Sequence, residues 1–549
     1  DFADRDWLFE DDGYLEKRFK GKYAQIATVA MMKLKSSIKD VFRQKYKEVP
    51  YNIMKFAESL PDEPQGIPTY DFVFGYEDTD KNHVQGLIEK SAELRQFTKN
   101  YPLEWEAIVR CLGVTRSRGV HASAVAIIDQ EINGLIPLTT QKEGKEAKVV
   151  TQYTMSGVEQ VGALKFDFLG LSTLKDIQGA IKLIQERNSN IMPKGDHLFL
   201  NNLKVPMMRI LPYKGELYDI WDLPYVKEVY DDIGEGRTET VFQLNTPTAQ
   251  KWLREFNYKK PNKDERLINS IDEIAYFTAL DRPGPLDAPV ECEDGKTRNM
   301  LEEYARRARG AVNTLAQPIL MQLMPETYGI CVTKEQLQNL YQNLTGCTGI
   351  QANEFRDKIG KKKMTEVLAT KPYFIENASK KISPEDAEAI WQQIVTFGQY
   401  GFNFSHSVAY SYVAYACAFL KHVYPLEWWC SILNNADKTK IFEQFWPFIG
   451  HLVKMPDINK SKYDFVIDGD KIVAPLSFIK KIGEKAHDQL RMWDSYKDVN
   501  EFCEKMEKIR QNGRLAVNLG HVSSLILTGA MDPLFESGLT FYEKLDAYS

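Results

Sequence analysis

The spacing of apolar residues predicts helix over most of the chain and strand over a few short runs. Residues 14 to 47 carry apolar positions at helical spacing among many Lys and Arg residues, which predicts helix. The segment from about 37 to 110 is also predicted to be mostly helix, with interruptions at the Pro and Gly residues near 61–68. Three β-prone runs follow: VHASAVAII (120–128), VTQYTM (150–155) and ALKFDFLGL (163–171).

Two later segments carry more specific signals. Ser383, Pro384 and Asp386 fit an N-terminal capping arrangement, so a helix is predicted to begin there and to reach about Phe397. In the last hundred residues, the β-prone run YDFVIDGDKIVAPL precedes an I-x-x-I-G pattern that looks like a helix-hairpin-helix turn. Backbone amides of such a turn can bind a phosphate, although a plain helix–Gly–helix turn has the same pattern. Lys481 stands where that hairpin usually carries its first Gly.

Composition excludes several classes of protein. The 549 residues suffice for roughly three or four domains. The seven cysteines are scattered without a CxxC pair, which argues against a zinc module or a disulfide framework and favours a reducing cytosol. We expect no signal peptide and no membrane span. The stretch 401–420 lacks Asp, Glu, Lys and Arg, but its Asn, Ser, His and Tyr residues make it too polar for a lipid-facing helix.

The net charge of about −6 does not by itself indicate nucleic-acid binding, so the distribution of charge matters more. Basic clusters occur at Arg306, Arg307 and Arg309, at Lys361 to Lys363, and at Lys480 and Lys481. Each cluster also fits a solvated helix face.

Two acidic segments could bind metal ions. Asp4 and Asp6 are two residues apart, so in a strand both carboxylates would point to one face and could bracket a hard cation such as Mg²⁺. A solvated loop fits the same residues. In the third β-prone run, alternation puts Lys165 and Asp167 on one face and two Phe side chains on the other. A carboxylate in an apolar strand needs a metal or a basic partner, and the pattern leaves both open.

Three further groups could bind phosphates or bases. Arg116 and His121 stand on a loop that enters a strand, where an Arg fork could hold phosphate. Arg282 precedes a rigid Pro-Gly-Pro turn. In YGFNFSHS (400–407), Ser405 is a plausible N-cap, and one face of the following helix carries His406 and Tyr410. Each group also has a structural alternative. Arg116 and His121 could stand on a basic surface loop, Arg282 on an ordinary loop, and the 400–407 segment at the start of a buried aromatic helix.

Taken together and in order, these segments resemble the C family of bacterial replicative polymerases, which contains the alpha subunit of DNA polymerase III. The matching pieces are DRDW (4–7), IATVAMMKLKSSIKDVFR (26–43), GVTRSRGVHASAV (113–125), VTQY (150–153), LKFDFLGLSTL (164–174), VFQLNT (241–246), ALDRPGPL (279–286), ETYGICVTKEQ (326–336), IGKKK (359–363), YGFNFSHSVAYSYVAYACAFLKHVYPLEW (400–428) and PDIN (456–459). They are collinear across nearly the whole chain, and the ordered set is far more specific than any single piece.

The resemblance implies an α+β fold. It has a nucleotidyltransferase (polymerase beta-like) palm with an inserted helical thumb, large and mainly helical fingers, and a C-terminal helix-hairpin-helix-like region. The implied domains are 1–36 (first part of the palm), 37–110 (thumb), 111–175 (second part of the palm), 176–450 (fingers) and 451–549 (little-finger or helix-hairpin-helix-like region).

The resemblance also implies the site. The Asp-x-Asp of the family maps to Asp4 and Asp6, and the aspartate of its KFDFLGL strand maps to Asp167. These three residues would hold two Mg²⁺ ions, one at the primer 3′-hydroxyl and one at the triphosphate. Lys165 would lie beside the phosphates. Contacts to dNTP or primer–template are implied for Arg116, His121, Arg282, Lys361, Lys362, Asn403, Ser405, His406 and Tyr410.

The implied function is template-directed addition of dNTPs to a primer 3′-hydroxyl in DNA replication, in the cytoplasm. Family members also carry a Gly-Ser motif and a phosphoesterase-like domain before the aspartate pair, and clamp-binding and single-strand-binding segments at the other end. We therefore expect a truncated polypeptide or a split-gene product that works with an N-terminal fragment and, through further segments, with a sliding clamp. A bacteriophage origin would suit the divergence.

Two alternatives remain open. The chain could be a catalytically decayed, polymerase-derived DNA-binding or scaffold protein, although the retention of all three carboxylates favours an enzyme. A helix-hairpin-helix DNA-binding module would explain the last hundred residues only.

Overall fold

The chain folds into two compact units, Asp1–Leu171 and Ser172–Ser549. The computed structural model describes residues 1–10, 12–64, 67–77, 83–143, 146–257, 266–292, 295–311, 318–360, 364–398, 401–513 and 516–548. Among the helices of these segments, none is both long enough and apolar enough to cross a membrane.

The first unit mixes short helices with one larger sheet. Its helices are α1 (Tyr14–Phe19), α2 (Leu34–Tyr46), α3 (Tyr51–Ser59), α4 (Thr69–Phe74), α5 (Leu87–Lys90), α6 (Ala92–Asn100), α7 (Pro102–Cys111) and α8 (Met155–Gln160), with 3-10 helices at Asp6–Phe9 and Ile132–Gly134. Its strands are β1 (Tyr23–Met31), β2 (Gly75–Glu77), β3 (His83–Gln85), β4 (Thr115–Ile127), β5 (Leu138–Glu143), β6 (Glu146–Thr151) and β7 (Leu164–Asp167).

The five-stranded sheet has the order β5-β6-β1-β4-β7. Strand β4 runs antiparallel to both β1 and β7, whereas β6 runs parallel to β1. Alternate residues of β4 face opposite layers, as the period of a strand requires. Val125 packs with Leu8 and Leu15 on one face, and Ala124 packs with Ile26 and Val158 on the other.

Strand β1 corrects the prediction of continuous helix over 14–47. Only residues 14–19 and 34–46 of that range are helical, and Tyr23–Met31 lies between β4 and β6 as a central strand. Its partners come from residues 115–127 and 150. Long-range pairing therefore outweighs the local helical spacing, since strand preference depends strongly on burial and neighbours.

The predicted β-prone run at 163–171 contains strand β7, as expected, and the run at 120–128 falls largely within strand β4. Strand β4 already begins at Thr115, so Arg116 and His121 lie within the strand and not on the predicted loop that enters it. The run that starts at Val150 differs from the prediction. Strand β6 already ends at Thr151, and helix α8 begins at Met155. Helices α2 to α7 enclose a separate apolar core that includes Ile38, Phe42 and Phe97. These helices, with the short strands β2 and β3 among them, cover the segment 37–110 that was predicted to be mostly helical.

The second unit is mainly helical. Its helices are α9 (Ser172–Arg187), α10 (Lys227–Gly234), α11 (Pro247–Phe256), α12 (Ile271–Leu280), α13 (Pro283–Asp287), α14 (Met300–Ala308), α15 (Pro318–Leu323), α16 (Lys334–Thr345), α17 (Gly349–Gly360), α18 (Met364–Leu368), α19 (Lys371–Ala378), α20 (Pro384–Gly398), α21 (Phe404–Val423), α22 (Pro425–Asn435), α23 (Lys438–Lys440), α24 (Trp446–Ile449), α25 (Glu484–Leu490), α26 (Val499–Asn512), α27 (Leu519–Leu527) and α28 (Phe541–Tyr548). Its strands are β8 (His197–Leu200), β9 (Leu203–Pro206), β10 (Ile210–Tyr213), β11 (Glu216–Asp219), β12 (Pro289–Glu291), β13 (Thr297–Asn299), β14 (Val453–Lys454), β15 (Val466–Asp468) and β16 (Lys471–Val473).

Three apolar cores organise the second unit. The largest packs α21 and α22 against α9 and α12 and buries Phe419 and Trp428. A second core surrounds Trp391 on α20, and a third surrounds Phe502 on α26. The predicted start of α20 is confirmed, because the Ser383 hydroxyl accepts a hydrogen bond of 3.1 Å from the Asp386 amide. The buried face of α20 then anchors it in the second core.

The C-terminal region contains the predicted short strands, β15 and β16, followed by helix α25. Lys481 has a φ of +77°, the left-handed conformation that a glycine adopts most easily. The residue at this position therefore takes the backbone conformation expected of the first Gly in a helix-hairpin-helix turn. Because Lys481 has a Cβ atom, this conformation costs free energy that a glycine would not lose.

Candidate active site

The end of strand β7 carries an ion pair. Lys165 and Asp167 project from one face, and the Lys165 ammonium contacts the Asp167 carboxylate. Phe166 and Phe168 stack on each other with ring centroids 6.1 Å apart. The predicted alternation along β7 is thus confirmed. About half of the Asp167 side chain is exposed to solvent.

A bulge in β4 brings a second set of polar groups to Asp167. Residues 121–124 of β4 lie opposite the single residue Ile26, between the pairs Gln25–Val125 and Ala27–Val120. Such bulges redirect side chains and free backbone groups from the ladder. Here the freed amides of Ser123 and Ala124 donate to Nδ1 of His121, at 3.2 and 3.0 Å. The His121 ring is therefore fixed with its Nδ1 as an acceptor.

Ser123 connects this bulge to the carboxylate. Its hydroxyl donates a 3.0 Å hydrogen bond to Oδ1 of Asp167. The pKa of the Asp167 carboxyl is lowered chiefly by the hydrogen bond from Lys165, with Ser123 adding to that effect against partial burial. Asp167 is consequently ionised at neutral pH. Ser123 was not among the sequence-predicted site residues, although its two-residue spacing from His121 could have indicated it.

The N-terminal segment lies beside the end of β7. Phe2 forms backbone hydrogen bonds of 2.9 Å with both Leu169 and Leu171, and Arg5 Nε donates to the Phe168 carbonyl at 2.6 Å. Asp4 is exposed. The segment is not a strand at the aspartate pair, because a 3-10 helix begins at Asp6. This corrects the expectation that strand geometry aligns the two carboxylates.

Asp6 faces a cavity of about 800 Å³ whose lining, in the described part of the chain, includes neither Asp4 nor Asp167. No three His, Cys, Asp or Glu side chains in the described segments are grouped as ligands of one metal ion. Carboxylate oxygens are the ligands that Mg²⁺ prefers, so the donor chemistry of the three aspartates fits that ion. In this structure, however, the three aspartates are not grouped around one Mg²⁺ position.

Arg116 is paired within its own unit. Its guanidinium contacts both carboxylate oxygens of Asp40 on α2, at 2.9 and 3.2 Å. Asp40 also binds Arg43, at 2.7 Å. Half of the Arg116 side chain remains exposed. A phosphate at Arg116 would therefore compete with this carboxylate.

In the second unit, the predicted fingers residues lie in a row of rings that meet edge to face. The Arg282 guanidinium lies 4.5 Å from the centroid of Phe402. The ring of His406 lies 5.5 Å from Phe402 and 4.2 Å from Tyr410, edge to face in both cases. Partial burial lowers the pKa of His406, which keeps its imidazole neutral at pH 7. The row presents a cation and aromatic faces, the groups that hold phosphates and bases.

The N-terminus of α21 is capped by Asn403. Its side chain accepts hydrogen bonds from the His406 amide at 3.2 Å and from the Ser405 hydroxyl at 2.7 Å. Ser405 was predicted to be the N-cap, and that prediction is wrong by two residues. Asn403 takes the role because its backbone is extended, with φ −79° and ψ 115°, whereas Ser405 already lies within the helix.

Other predicted positions divide into three cases. Pro283 begins a short helix, so the predicted rigid turn after Arg282 is helical. Arg306 and Arg307 bind the fully buried Glu303 at 2.7 Å each and serve packing rather than a solvated helix face. Lys361 and Lys362 lie outside the described residues.

Three segments of the chain match models of known protein families. Residues 12–170 match the bacterial DNA polymerase III alpha NTPase domain, and residues 203–382 match the bacterial DNA polymerase III alpha subunit finger domain. A helix-hairpin-helix motif matches residues 450–537. The first match falls in the first compact unit, and the other two fall in the second.

Curated relatives agree with these matches. The DNA polymerase III subunit alpha of Aquifex aeolicus is 30% identical over 545 residues, covering 93% of this chain and 41% of the relative. The Campylobacter jejuni protein of the same name is 29% identical, covering 98% and 40%, and that of Thermus aquaticus is 28% identical, covering 97% and 39%. The chain thus spans about two fifths of the length of these relatives.

The mixed sheet of the first unit, the helical second unit and the ordered matches are those of the C family of bacterial replicative polymerases. The chain belongs to the family of the bacterial DNA polymerase III alpha subunits.

Proposed function

We propose that this chain is the catalytic part of a DNA-directed DNA polymerase that adds dNTPs to a primer 3′-hydroxyl during replication. The proposal rests on one observation: the N-terminal segment, which carries the Asp-x-Asp motif of the family, lies beside the strand that carries its KFDFLGL motif. The aspartate of the KFDFLGL strand is ionised and half-exposed. Backbone hydrogen bonds of Phe2 and the side chain of Arg5 hold the N-terminal segment beside the end of that strand. The matches to alpha-subunit domains along both units support the same reading.

Asp4, Asp6 and Asp167 are the proposed ligands of two Mg²⁺ ions. When bound, the metal ions would activate the primer hydroxyl and stabilise the charge of the triphosphate. For this, the carboxylate of Asp6, whose side chain is largely exposed, must come together with that of Asp167, and the Lys165 ammonium must release one Asp167 oxygen. Lys165 would then be available to the phosphates of the nucleotide.

The remaining predicted residues have supporting roles in this proposal. Ser123 would orient the Asp167 carboxylate, and His121 would hold the bulge that presents Ser123. Arg116 would exchange Asp40 for a phosphate of the nucleotide or primer. In the second unit, Arg282, His406 and Tyr410 would contact nucleotide or template through charge and ring stacking. We also propose that the domains follow the order of the family along the chain: palm, thumb, palm, fingers and a C-terminal DNA-binding region.

We further propose that a polypeptide carrying the Gly-Ser segment of the family completes the nucleotide site, and that primer–template DNA is the main partner. The competing function, a decayed polymerase that only binds DNA, predicts binding without extension. No observed feature favours it, because all three carboxylates are present and Asp167 is ionised.

Primer extension tests the proposal. The purified chain is mixed with a labelled primer–template, dNTPs and Mg²⁺, with and without the Gly-Ser-bearing polypeptide. Asp6→Asn and Asp167→Asn should each abolish extension while leaving primer–template binding within about twofold of wild type. The exposed Asp62, which pairs with Lys35 on α2, supplies a matched Asp→Asn control that should extend normally. Equal extension by wild type and both site variants would remove the enzymatic assignment.

A further inference from the structure

Gln336 is a buried polar side chain in the first turn of α16, and both ends of its amide group are hydrogen-bonded. Its Oε1 accepts the backbone amides of Val332 at 2.9 Å and Thr333 at 3.1 Å. Its Nε2 donates to the Glu326 carboxylate at 2.6 Å and to the Thr327 hydroxyl at 2.8 Å. Because a buried amide is costly without such partners, the network fixes the residues that it joins.

Capping of α16 accounts for only part of this network. In a capping box, the third helical residue accepts the amide of the N-cap residue, and the N-cap side chain accepts the amide of that third residue. Gln336 and Thr333 form such a box. The bonds of Gln336 to Val332, Glu326 and Thr327 are additional. They hold the segment before α16 against the preceding 3-10 helix, which ends at Thr327.

The segment that Gln336 holds is paired with the residue before the start of α21. The Lys334 amide donates to the Phe402 carbonyl at 2.8 Å, and the Phe402 amide donates to the Val332 carbonyl at 3.2 Å. A Cβ added to Gly401 would lie 3.3 Å from the Lys334 side chain, so the two segments are in close contact. The position of the Phe402 backbone therefore depends on the segment before α16.

Phe402 also contacts two of the residues proposed to bind nucleotide or template. The Arg282 guanidinium lies 4.5 Å from the centroid of its ring, and the His406 ring lies 5.5 Å from it. Because both side chains lie against this ring, a shift of Phe402 displaces both of them. Misplacing a positioning group by about 1 Å can lower the rate of an enzyme on the order of 100-fold.

We propose that Gln336 is a positioning residue of the nucleotide site. It has no direct contact with the nucleotide. By fixing the segment before α16 it sets the position of Phe402, and through that ring the positions of Arg282 and His406. The inference rests on the proposed function and deepens it, because it assigns these two side chains to the incoming nucleotide rather than to the template.

Nucleotide binding and primer extension, measured in the same mixture, test this inference. A labelled non-hydrolysable dNTP is titrated against the whole chain with primer–template, Mg²⁺ and the Gly-Ser-bearing polypeptide. Gln336→Leu leaves two backbone amides without their acceptor, so the Kd for the nucleotide should rise about tenfold. Gln336→Glu keeps that acceptor and should raise this Kd about threefold. The Kd for primer–template should stay within about twofold of wild type for both variants.

A double-mutant cycle distinguishes positioning from a general loss of stability. In the Phe402→Ala background, Gln336→Leu should weaken nucleotide binding by less than about twofold, since the ring through which it acts is absent. Gln338 supplies the matched control on the same helix. Its side chain makes a 3.5 Å hydrogen bond with the Gly349 carbonyl, and Gln338→Leu should leave the Kd for the nucleotide unchanged.

Gln336→Glu keeps the test decisive if Gln336→Leu fails to fold, because it retains the shape of the side chain. The inference is overturned by an unchanged Kd for the nucleotide in the folded variants, by an equal loss in Gln338→Leu, or by the full loss in the Phe402→Ala background. A wild-type chain that binds no nucleotide overturns it as well. If the wild type binds nucleotide without extending a primer, the proposed function fails, and the Kd values of the variants still decide the positioning role.

Discussion

The hydroxyl of Ser123 donates a hydrogen bond of 3.0 Å to Oδ1 of Asp167, and this contact joins the bulge of β4 to the carboxylate on β7. The other oxygen of that carboxylate is held by Lys165. Both contacts fix the orientation of the one candidate metal ligand that stands on the sheet. Ser123 is therefore a positioning residue in our proposal, with no direct contact to the reacting atoms.

Replacing Ser123 with Ala should lower the single-turnover rate of primer extension by about 10- to 100-fold, the usual effect of removing a partner that orients a metal ligand. The apparent affinity for primer–template should not change. Ser123→Thr retains the hydroxyl and should recover most of the rate, which a purely structural role of the serine would not require. A normal rate for Ser123→Ala would show that this hydrogen bond does not serve the reaction.

Asn403→Ala should destabilise the N-terminus of α21 by about 1 kcal/mol, because the amide of His406 loses its acceptor. Ser405→Ala should cost less, since the Ser405 hydroxyl is exposed and only donates to Asn403. Hydrogen exchange of the first-turn amides of α21 measures both effects. Equal protection losses in the two variants would mean that Asn403 is not the cap.

Glu303→Gln should destabilise the second unit by about 3–5 kcal/mol, as expected when one member of a buried ion cluster is neutralised. Burial alone would raise the pKa of Glu303, but hydrogen bonds from Arg306 and Arg307 outweigh it and lower that pKa to about 2. The ion cluster thus stabilises the fold fully above the ordinary pKa of the carboxyl, and its contribution is lost as the pH falls towards 2. Urea denaturation at pH 7 measures the change, with Glu376→Gln on α19 as an exposed control. A loss no greater than that of the control would contradict the assignment.

Asp176→Asn should stabilise the second unit at pH 7.5 by about 1–3 kcal/mol. Burial raises the pKa of the Asp176 carboxyl to about 6, opposed by a hydrogen bond from Asn435. The folded state therefore holds the proton more tightly than the unfolded state. Its favourable contribution is complete below about pH 4 and disappears as the pH rises through 6. Denaturation curves at pH 4.5 and 7.5 should show the gain only at the higher pH, and an equal gain at both would contradict this titration.

The fold could be predicted from the sequence where local signals and final contacts agree. The β-prone runs that overlap β4 and contain β7 are such cases, as is the capped start of α20. Strand β1 could not be found, because its residues become a strand only through distant partners, of which the nearest in sequence is Thr115, paired with Met31. The bulge at His121 depends on the same long-range pairing. The hydrogen bonds that it creates around Ser123 therefore could not be predicted from the sequence either.

The candidate site was predictable in its residue types and less so in its geometry. The pairing of Lys165 with Asp167 follows from strand alternation. The resemblance implied DNA or nucleotide contacts for both Arg282 and the 403–410 segment, but not the contact of Arg282 with Phe402. The 3-10 helix at Asp6 does not follow from either, because Leu8 and Phe9 are drawn into the apolar layer over β4. Packing of these two residues turns the chain before the two carboxylates can align.

Electron paramagnetic resonance can count the Mn²⁺ ions that the three aspartates bind, in the assembly that extends a primer and with a non-hydrolysable nucleotide present. We expect two bound ions for the wild-type chain, and fewer for both Asp6→Asn and Asp167→Asn. The double variant should lose no more than the single variants, because residues that share a site are not additive. A wild-type ion count in Asp167→Asn, or independent and additive losses in the double variant, would contradict the claim that these carboxylates act on the same metal ions.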